Sequence, residues 1–295
     1  MRTRAHEEGF SLIEVVIVIA LTGIVAALIS SFITRPFAAY GDIRVRAQLV
    51  DSADNALQRL ARDLRRALPN SIRVSGGAIE FLNTSSGARY RRDPGVNAAT
   101  AEDHTAATDV LDFAGDLSFN ALGRLTGLAF TYDVPLAAGH RIAIYSTGAG
   151  VWADAAKGAN PGVITPASMS VTIRDDVDED RIELSGGAPF RFALESPRRR
   201  LYVVDAPVSF LCDTLAGTLT RYSSYAIAAT QPTSPLLAPL SAASAGLVAT
   251  DVTGCAFTYQ PGTSERAGLV TLDLTLARSG EQVRLLQQVH VVNVP

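Results

Sequence analysis

The sequence predicts an α+β protein in which one long N-terminal helix packs on an antiparallel β-sheet domain. Two observations support this fold class. Helical patterns occupy the chain as far as Leu68, first wholly apolar and then amphipathic. Downstream of Pro69, short segments rich in Val, Ile, Tyr, Phe and Thr alternate with clusters of Gly, Pro, Asn and Asp, a pattern typical of strands joined by turns. Helix and strand patterns are therefore segregated along the chain, as in α+β domains.

The first part of the helix is an apolar run from Phe10 to Ile33 that contains one charged residue, Glu14, and no proline. A helix needs about 20 consecutive apolar residues to cross the hydrocarbon core of a bilayer, and this run satisfies that length. It is longer than the apolar core of an ordinary secretory signal, and Ser31–Arg35 does not form a small-residue cleavage site. We therefore predict a membrane-spanning helix over residues 10–33.

Residues 34–68 are expected to continue this helix in amphipathic form. Apolar residues recur at spacings of three and four, opposite a face rich in arginine and aspartate, which is typical of a helix lying on a domain. Pro36 lacks an N–H donor and crowds the preceding turn, so we expect a kink or loosening near Thr34–Arg35. Pro69 is expected to end the helix after Leu68. The apolar stripe comprises Ile43, Leu49, Val50, Ala53, Leu57, Leu60, Ala61, Leu64 and Leu68.

Residues 69–295 are predicted to form a β-rich globular domain. Early strands are expected at Ala78–Leu82 and Ala88–Arg92, because both are rich in apolar, aromatic or alternating residues. The small polar residues of Ser85–Gly87 are expected to form a turn between them.

Three later segments also receive a structural prediction. Arg200–Asp213 is interpreted as a β-hairpin that turns at Asp205–Pro207 and carries Cys212 in its second arm. Pro94–Thr108 has little apolar spacing and is expected to be a loop. Gly148–Pro166 is rich in Gly and Ala and is also expected to be a loop.

The first nine residues are a polar, partly basic leader that ends in Gly9, and Phe10-Ser11-Leu12-Ile13-Glu14 opens the apolar run directly after it. A charged leader, a glycine, a phenylalanine and an apolar helix with one early acid resemble the class III prepilin leader of the type IV pilin and pseudopilin superfamily. A plain membrane anchor would match the length of the run but gives no reason for Glu14. A carboxylate at the centre of a bilayer costs about 2.5–3.5 kcal/mol on insertion scales.

The resemblance implies a pilin-like version of the predicted fold and a defined set of site residues. In that superfamily a prepilin peptidase cleaves after the glycine, here Gly9, and methylates the new N-terminal residue, here Phe10. Residues 1–9 would then be the leader peptide. The resemblance also implies that Glu14 pairs with the free Phe10 amine of a neighbouring subunit during assembly.

The implied partners are the prepilin peptidase, other pilins and minor pilins, an inner-membrane pilus assembly platform and the lipid bilayer. The subunit is expected in the bacterial inner membrane as a single-pass protein with its C-terminal domain in the periplasm, and then in a pilus fibre at the cell surface. The chain length, the expected hairpin and a late cysteine pair are similar to large minor pilins of the mannose-sensitive haemagglutinin (MSHA) type. The alternatives are a type II secretion pseudopilin and a membrane-tethered surface-binding (adhesive) module.

The two cysteines of the chain are Cys212 and Cys255. In the periplasm such a pair favours a disulfide over a metal site, which would need more ligands. The alternative is two free buried thiols that act as small apolar groups.

One acidic turn is a weak candidate for a cation site. Asp176, Asp178 and Asp180 have the D-x-D-x-D spacing with which a calcium loop begins. However, Arg181 stands where an EF-hand requires glycine, and Gly187 stands where the bidentate glutamate belongs. We therefore expect a solvated hairpin tip and no metal site.

The remaining composition favours a structural protein. The formal net charge of −3 gives no reason to expect nucleic acid as a partner. Neither an H-E-x-x-H nor a G-x-S-x-G motif occurs, so we expect no enzyme activity and no cofactor. Ser196–Arg200 contains three consecutive arginines that could contact an acidic surface or DNA, but a solvated loop between strands is the expected structure.

Overall fold

The computed structural model describes residues 9, 11–97, 100–262 and 266–292, and over residues 31–39 it describes the backbone only. The predicted α+β layout is confirmed. A long N-terminal helix is followed by a domain built from antiparallel strands.

The N-terminal helix, α1, spans Leu12–Leu64 and is 53 residues long, which corresponds to about 80 Å at 1.5 Å per residue. It is continuous across Pro36, so the weak point predicted there does not end the helix. It ends four residues before the predicted Leu68, because the chain here joins the sheet. The Leu68 N–H donates to the Leu82 carbonyl at 2.8 Å, and Ala67 forms a bridge with Asn83.

The largest sheet has six strands in the order β1-β2-β9-β10-β11, with β6 pairing to β9. A second sheet has the order β12-β13-β14, a third has the order β5-β8-β7, and β3 and β4 form a small pair. All of these strand pairs are antiparallel. The strands are β1 (Arg73–Ser75), β2 (Ala78–Arg89), β3 (Gly95–Val96), β4 (Asp103–His104), β5 (Ser118–Ala121), β6 (Arg141–Ile144), β7 (Ser170–Asp176), β8 (Glu179–Ser185), β9 (Arg200–Asp213), β10 (Thr218–Ser223), β11 (Ser244–Ala249), β12 (Val252–Gln260), β13 (Gly268–Arg278) and β14 (Glu281–Val291). A short helix, α2, spans Gly150–Lys157, and Leu240–Ala242 forms a 3₁₀ turn.

The main hydrophobic core lies where the second half of α1 meets the first two sheets. Leu57 and Leu60 of α1 belong to one buried cluster with Phe210 of β9 and Leu272 of β13. The apolar stripe predicted from the sequence supplies the helix side of this core through Leu49, Ala53, Leu57, Leu60, Ala61 and Leu64. A second buried cluster, which includes Phe119 and Phe190, lies around the β5-β8-β7 sheet.

Two of the local predictions within the domain are wrong. Ser85–Gly87 is not a turn but part of the 12-residue strand β2, where shifts in the register with β9 absorb the irregular residues. Arg200–Asp213 is not a hairpin but the single strand β9. Pro207 is tolerated there because it lies between the stretch of β9 that pairs with β6 and the stretch that pairs with β10.

The two predicted loops also contain regular structure. Gly148–Pro166 includes α2, in which Trp152 is fully buried and donates from its indole Nε1 to the Ser71 carbonyl at 2.8 Å. Pro94–Thr108 includes the short β3-β4 pair. Neither segment shows its structure in local sequence, because long-range contacts fix both.

A disulfide joins Cys212 of β9 to Cys255 of β12, with 6.4 Å between their Cα atoms. The bond therefore connects the first sheet to the second sheet, and both of these sheets contact α1. It also closes the segment that contains β10, the 3₁₀ turn and β11.

Replacing both Cys212 and Cys255 with serine should lower the free energy of unfolding by up to about 4 kcal/mol, because the two residues lie 43 positions apart and their bond restricts the unfolded chain. Urea unfolding of the full chain in detergent, followed by the fluorescence of buried Trp152, measures this loss. Reducing agent should reproduce the loss in the wild type and leave the double variant unchanged. Alkylation of both thiols in the native protein would contradict the bond.

Candidate functional site

The expected cleavage position, after Gly9, lies in an open part of the described structure. Gly9 is exposed, and a Cβ added to it would meet no atom within 4 Å. Phe10, the residue expected to become the methylated N-terminus, lies outside the described residues, as do residues 1–8. No contact with the residues that the structure describes therefore requires glycine at position 9.

The start of α1 is capped by a side chain that the sequence analysis missed. Ser11 has extended backbone angles (φ −75°, ψ 149°), and its Oγ accepts from the Glu14 N–H at 3.3 Å. Serine at the N-cap with glutamate three residues later is the capping-box pattern. The spacing was visible in the sequence, so this role of Ser11 could have been predicted. Glu14 consequently lies in the first helical turn, where the helix dipole favours a negative charge.

The apolar first half of α1 is not buried against any other part of the chain that the structure describes. Leu12–Ser30 has a mean hydropathy of 2.9 and no buried residue, and among the described residues it is the one helical segment long and apolar enough to cross a membrane. Its exposed fractions reach 84% at Leu12 and are 57% at Leu28. An apolar surface of this extent indicates contact with lipid or with other protein chains.

The acidic turn is organised around internal partners, and His104 lies beside both Asp176 and Asp178, at 3.5 and 2.8 Å. Asp176 accepts from Arg181 and Asn120. Asp180 is fully buried and accepts from the Leu125 N–H and the Tyr132 hydroxyl, at 2.7 and 2.9 Å. The Asp176 and Asp180 carboxylates are therefore occupied by groups of the protein, and no cluster of His, Cys, Asp or Glu that could hold a metal ion is found among the residues that the structure describes.

Asp178 holds the loop between β3 and β4 onto the β7-β8 turn. Its carboxylate accepts from the Thr100 hydroxyl at 2.9 Å and contacts His104 Nε2 at 2.8 Å, and it also accepts from the Asn97 side-chain amide. The hydrogen bond from His104 is the main reason why the pKa of Asp178 is lowered, to about 2. The expected solvated tip is instead a contact point between two parts of the domain.

The residues that complete this contact were not identified from the sequence. His104 is 2% exposed, and its Nδ1 lies 3.3 Å from the Asn120 side-chain amide. Asn97 and His104 are separated from Asp178 by 81 and 74 positions. No local pattern signals a pairing across such a distance in the sequence.

Comparison with known proteins supports the interpretation of the N-terminal segment as a prepilin leader followed by an apolar helix. The family model described as "Prokaryotic N-terminal methylation motif" matches residues 4–30. This match supports a type IV pilin-like or pseudopilin precursor, a structural subunit whose leader implies processing by prepilin peptidase and assembly with other pilins. Leader and apolar helix fit membrane anchoring followed by pilus assembly. Searches of curated proteins and of solved structures find no match to the chain.

Replacing Asp178 with asparagine should release the β3-β4 loop, because the three side chains bound to the carboxylate lose a charged acceptor. Hydrogen exchange at the Asn97 and Ala101 amides, which bond within the loop, should then become faster at neutral pH. Asp175→Asn is the matched control, since Asp175 lies on the same turn but pairs with Arg124.

The wild type should show the same release in acid. The pKa of Asp178 lies below its ordinary value of 3.8 in the folded protein, so its contribution to stability is present above about pH 4 and is lost as the pH falls towards 2. Loop amides whose protection does not change across this pH range would contradict the role of Asp178.

Proposed function

We propose that this chain is a minor pilin-like subunit of a type IV pilus, most similar to the MSHA type. The observation that carries the proposal is a prepilin leader joined to a helix of two different halves. Leu12–Ser30 is wholly exposed and apolar, whereas the later part of α1 is buried against the domain. A helix of this kind can be stored in a membrane and later transferred to a fibre core without unfolding the domain.

In this proposal, residues 1–9 are removed by the prepilin peptidase, and Phe10 becomes the methylated N-terminus. Residues 10–33 hold the subunit in the inner membrane through contact with the lipid bilayer. Residues 34–68 connect this anchor to the domain of residues 69–295, which lies in the periplasm and then on the pilus. The assembly platform and other pilins, including minor pilins, act on the subunit through α1. Its role is structural and not enzymatic.

The MSHA assignment depends on fewer features than the sequence suggested. The hairpin at Arg200–Asp213 is absent, since that segment is one strand. The length of the chain and the late Cys212–Cys255 pair support this branch. A type II secretion pseudopilin is the second candidate, because the same leader and helix would serve a secretion pseudopilus.

Replacing Gly9 with valine should leave the leader attached and abolish incorporation into fibres. The space around Gly9 is open, so valine does not strain the chain, and the loss would arise in the peptidase. Gly41→Val is the matched control, because Gly41 is equally open. Mass spectrometry of the wild type should find an N-terminus at a methylated Phe10, and a mature N-terminus beyond Ile33 would refute the pilin assignment.

Three variants at the start of α1 separate the capping of the helix from pairing between subunits. Glu14→Leu should insert into the membrane at least as well as the wild type, because it removes an embedded acid, but it should incorporate poorly into fibres. Glu14→Gln keeps a residue suited to the capping box but removes the charge, and should also incorporate poorly. Ser11→Ala removes the cap and keeps the charge, so it should incorporate normally.

Quantitative immunoblotting of sheared fibres against the membrane fraction measures all three variants. Normal incorporation of Glu14→Gln would show that the charge is not needed. A defect of equal size in Ser11→Ala would show that capping, and not pairing between subunits, explains the requirement for Glu14.

A further inference from the structure

The exposed face of α1 carries two acids and two arginines in a repeated arrangement. Asp51 and Asp54 lie three residues apart, and both are exposed. Arg59 and Arg62 are also exposed and have the same spacing. Residues three apart are neighbours on the surface of a helix, so each pair brings like charges together and weakens the isolated helix.

The chain itself supplies little compensation for these four charges. Neither acid has an arginine or lysine three or four residues away along α1, and Asp54 accepts from the Gln58 side-chain amide at 2.6 Å. Asp63 follows Arg59 by four residues but pairs with Arg221 at 2.7 Å. None of the four has an ion pair within the described part of the chain, so all of them can bind a partner of opposite charge.

A second copy of α1 can compensate both pairs with one displacement. Arg59 follows Asp51 by eight residues, and Arg62 follows Asp54 by the same number. If a parallel copy is displaced by eight residues towards the C-terminal end of the first, about 12 Å, its two acids lie level with the two arginines of the first copy. Contact without displacement would place each residue beside its own counterpart, and like charges that face each other are unfavourable. Because acids of one copy meet arginines of the next, the contact can repeat.

The apolar first half of α1 favours the parallel direction. Leu12–Ser30 is exposed over 19 residues, and a displacement of eight leaves more than half of it beside its counterpart. An antiparallel pair would also bring the acids to the arginines, but it would place the two apolar segments at opposite ends. Exposed ion pairs are individually weak, so the apolar segments supply the affinity of a parallel pair, and the charges select its offset.

We propose that α1 binds a second copy of this chain, parallel to it and displaced by eight residues along the helix. Asp51 and Asp54 of one copy then face Arg59 and Arg62 of the next. The inference rests on the proposed function and deepens it, because it names a copy of the same subunit as a partner. Both charge patterns lie on the same chain with the same spacing, which is why the partner is a second copy.

The test treats the full chain in an uncharged detergent with a carbodiimide, which couples a carboxylate to a primary amine without a spacer. Arg62→Lys keeps the positive charge and supplies such an amine, and Lys157 is the one lysine of the natural sequence. A covalent dimer should form, in which mass spectrometry finds position 62 linked to Asp54. The two positions lie about 12 Å apart within one helix, so this link forms between copies. Arg62 is preferred to Arg59, because a Cβ added to Gly246 of β11 would lie 3.9 Å from the Arg59 Nη2 atom.

Arg65→Lys is the matched control. Arg65 is exposed on the same helix, but the residue eight positions before it is the buried Leu57, which offers no carboxylate. Its yield of dimer should be at least about fivefold lower than that of Arg62→Lys. Adding Asp54→Asn to Arg62→Lys should abolish the link at position 54. The proposal is overturned if no dimer forms, if the control yields as much dimer, or if position 62 is linked to Asp51, as in an antiparallel pair.

The outcome is separable from that of the proposed function. A chain that is cleaved before Phe10 and incorporated into fibres, but does not form the link between positions 62 and 54, would still be a pilus subunit whose neighbours are other pilins. A mature N-terminus beyond Ile33 would refute both the pilin assignment and the contact.

Discussion

Burial of one face of α1 against two different sheets is the interaction on which the rest of the domain depends. Leu57, Leu60 and Leu64 are at most 3% exposed and lie in one cluster with residues of the first and second sheets. Each such leucine stabilises the fold by about 1.5–3 kcal/mol relative to an exposed position. The two sheets do not form one continuous ladder, so the helix provides much of the apolar surface that holds them together.

The disulfide and a buried ion pair both act on the segment between Cys212 and Cys255. Glu80 is fully buried, pairs with Arg73 at 2.7 Å and accepts from the Tyr225 hydroxyl at 2.9 Å. Burial raises the pKa of Glu80, although Arg73 acts in the opposite direction. Arg73 also donates to the carbonyls of Ala228 and Ala229, at 3.0 and 2.6 Å. This network therefore fixes a loop inside the segment that the disulfide closes, where regular structure is sparse.

The periodic spacing of apolar residues predicted α1, because that one pattern determines where an amphipathic helix forms. The apolar stripe of α1 follows a spacing of three and four over many turns, and most of its residues form the buried face. The prediction is wrong for Ile43 and Val50, which are exposed. Local turn chemistry was a poorer guide within the sheet. Ser85–Gly87 and Pro207 resemble turn residues, but each lies in a long strand that has pairing partners beyond the local sequence. Extended pairing along β2 and β9 therefore overrides the weaker turn preference of a few residues.

The contacts of the acidic turn and the position of the basic turn could not be predicted for a different reason. Asp178 was visible as an acid, but its neighbours His104 and Asn97 come from a segment without apolar periodicity. Likewise, the basic turn at Ser196–Arg200 was visible, whereas its position opposite Arg89 depends on the register of β2 with β9. A one-residue change in that register would place the two arginine side chains on opposite faces of the sheet. The sequence therefore identified the types of residue involved, but not which of them lie next to each other in the folded domain.

In the proposed fibre, a single acid can determine how otherwise uniform apolar helices align with one another. Apart from Glu14, the exposed surface from Leu12 to Ser30 is predominantly apolar, so one such helix can slide along another with little change in buried apolar area. Glu14 interrupts that uniformity at one end, in the first helical turn, where the helix dipole reduces the cost of its charge. In the proposed fibre, the Glu14 carboxylate must lie beside the Phe10 amine of a neighbouring subunit. The interaction energy therefore depends on the axial position of one helix relative to the other. A buried pair of this kind adds little net stability but can fix the register of the helices. In the proposed fibre, the position of Glu14 in the first turn would therefore matter more to assembly than the strength of any single contact that it makes.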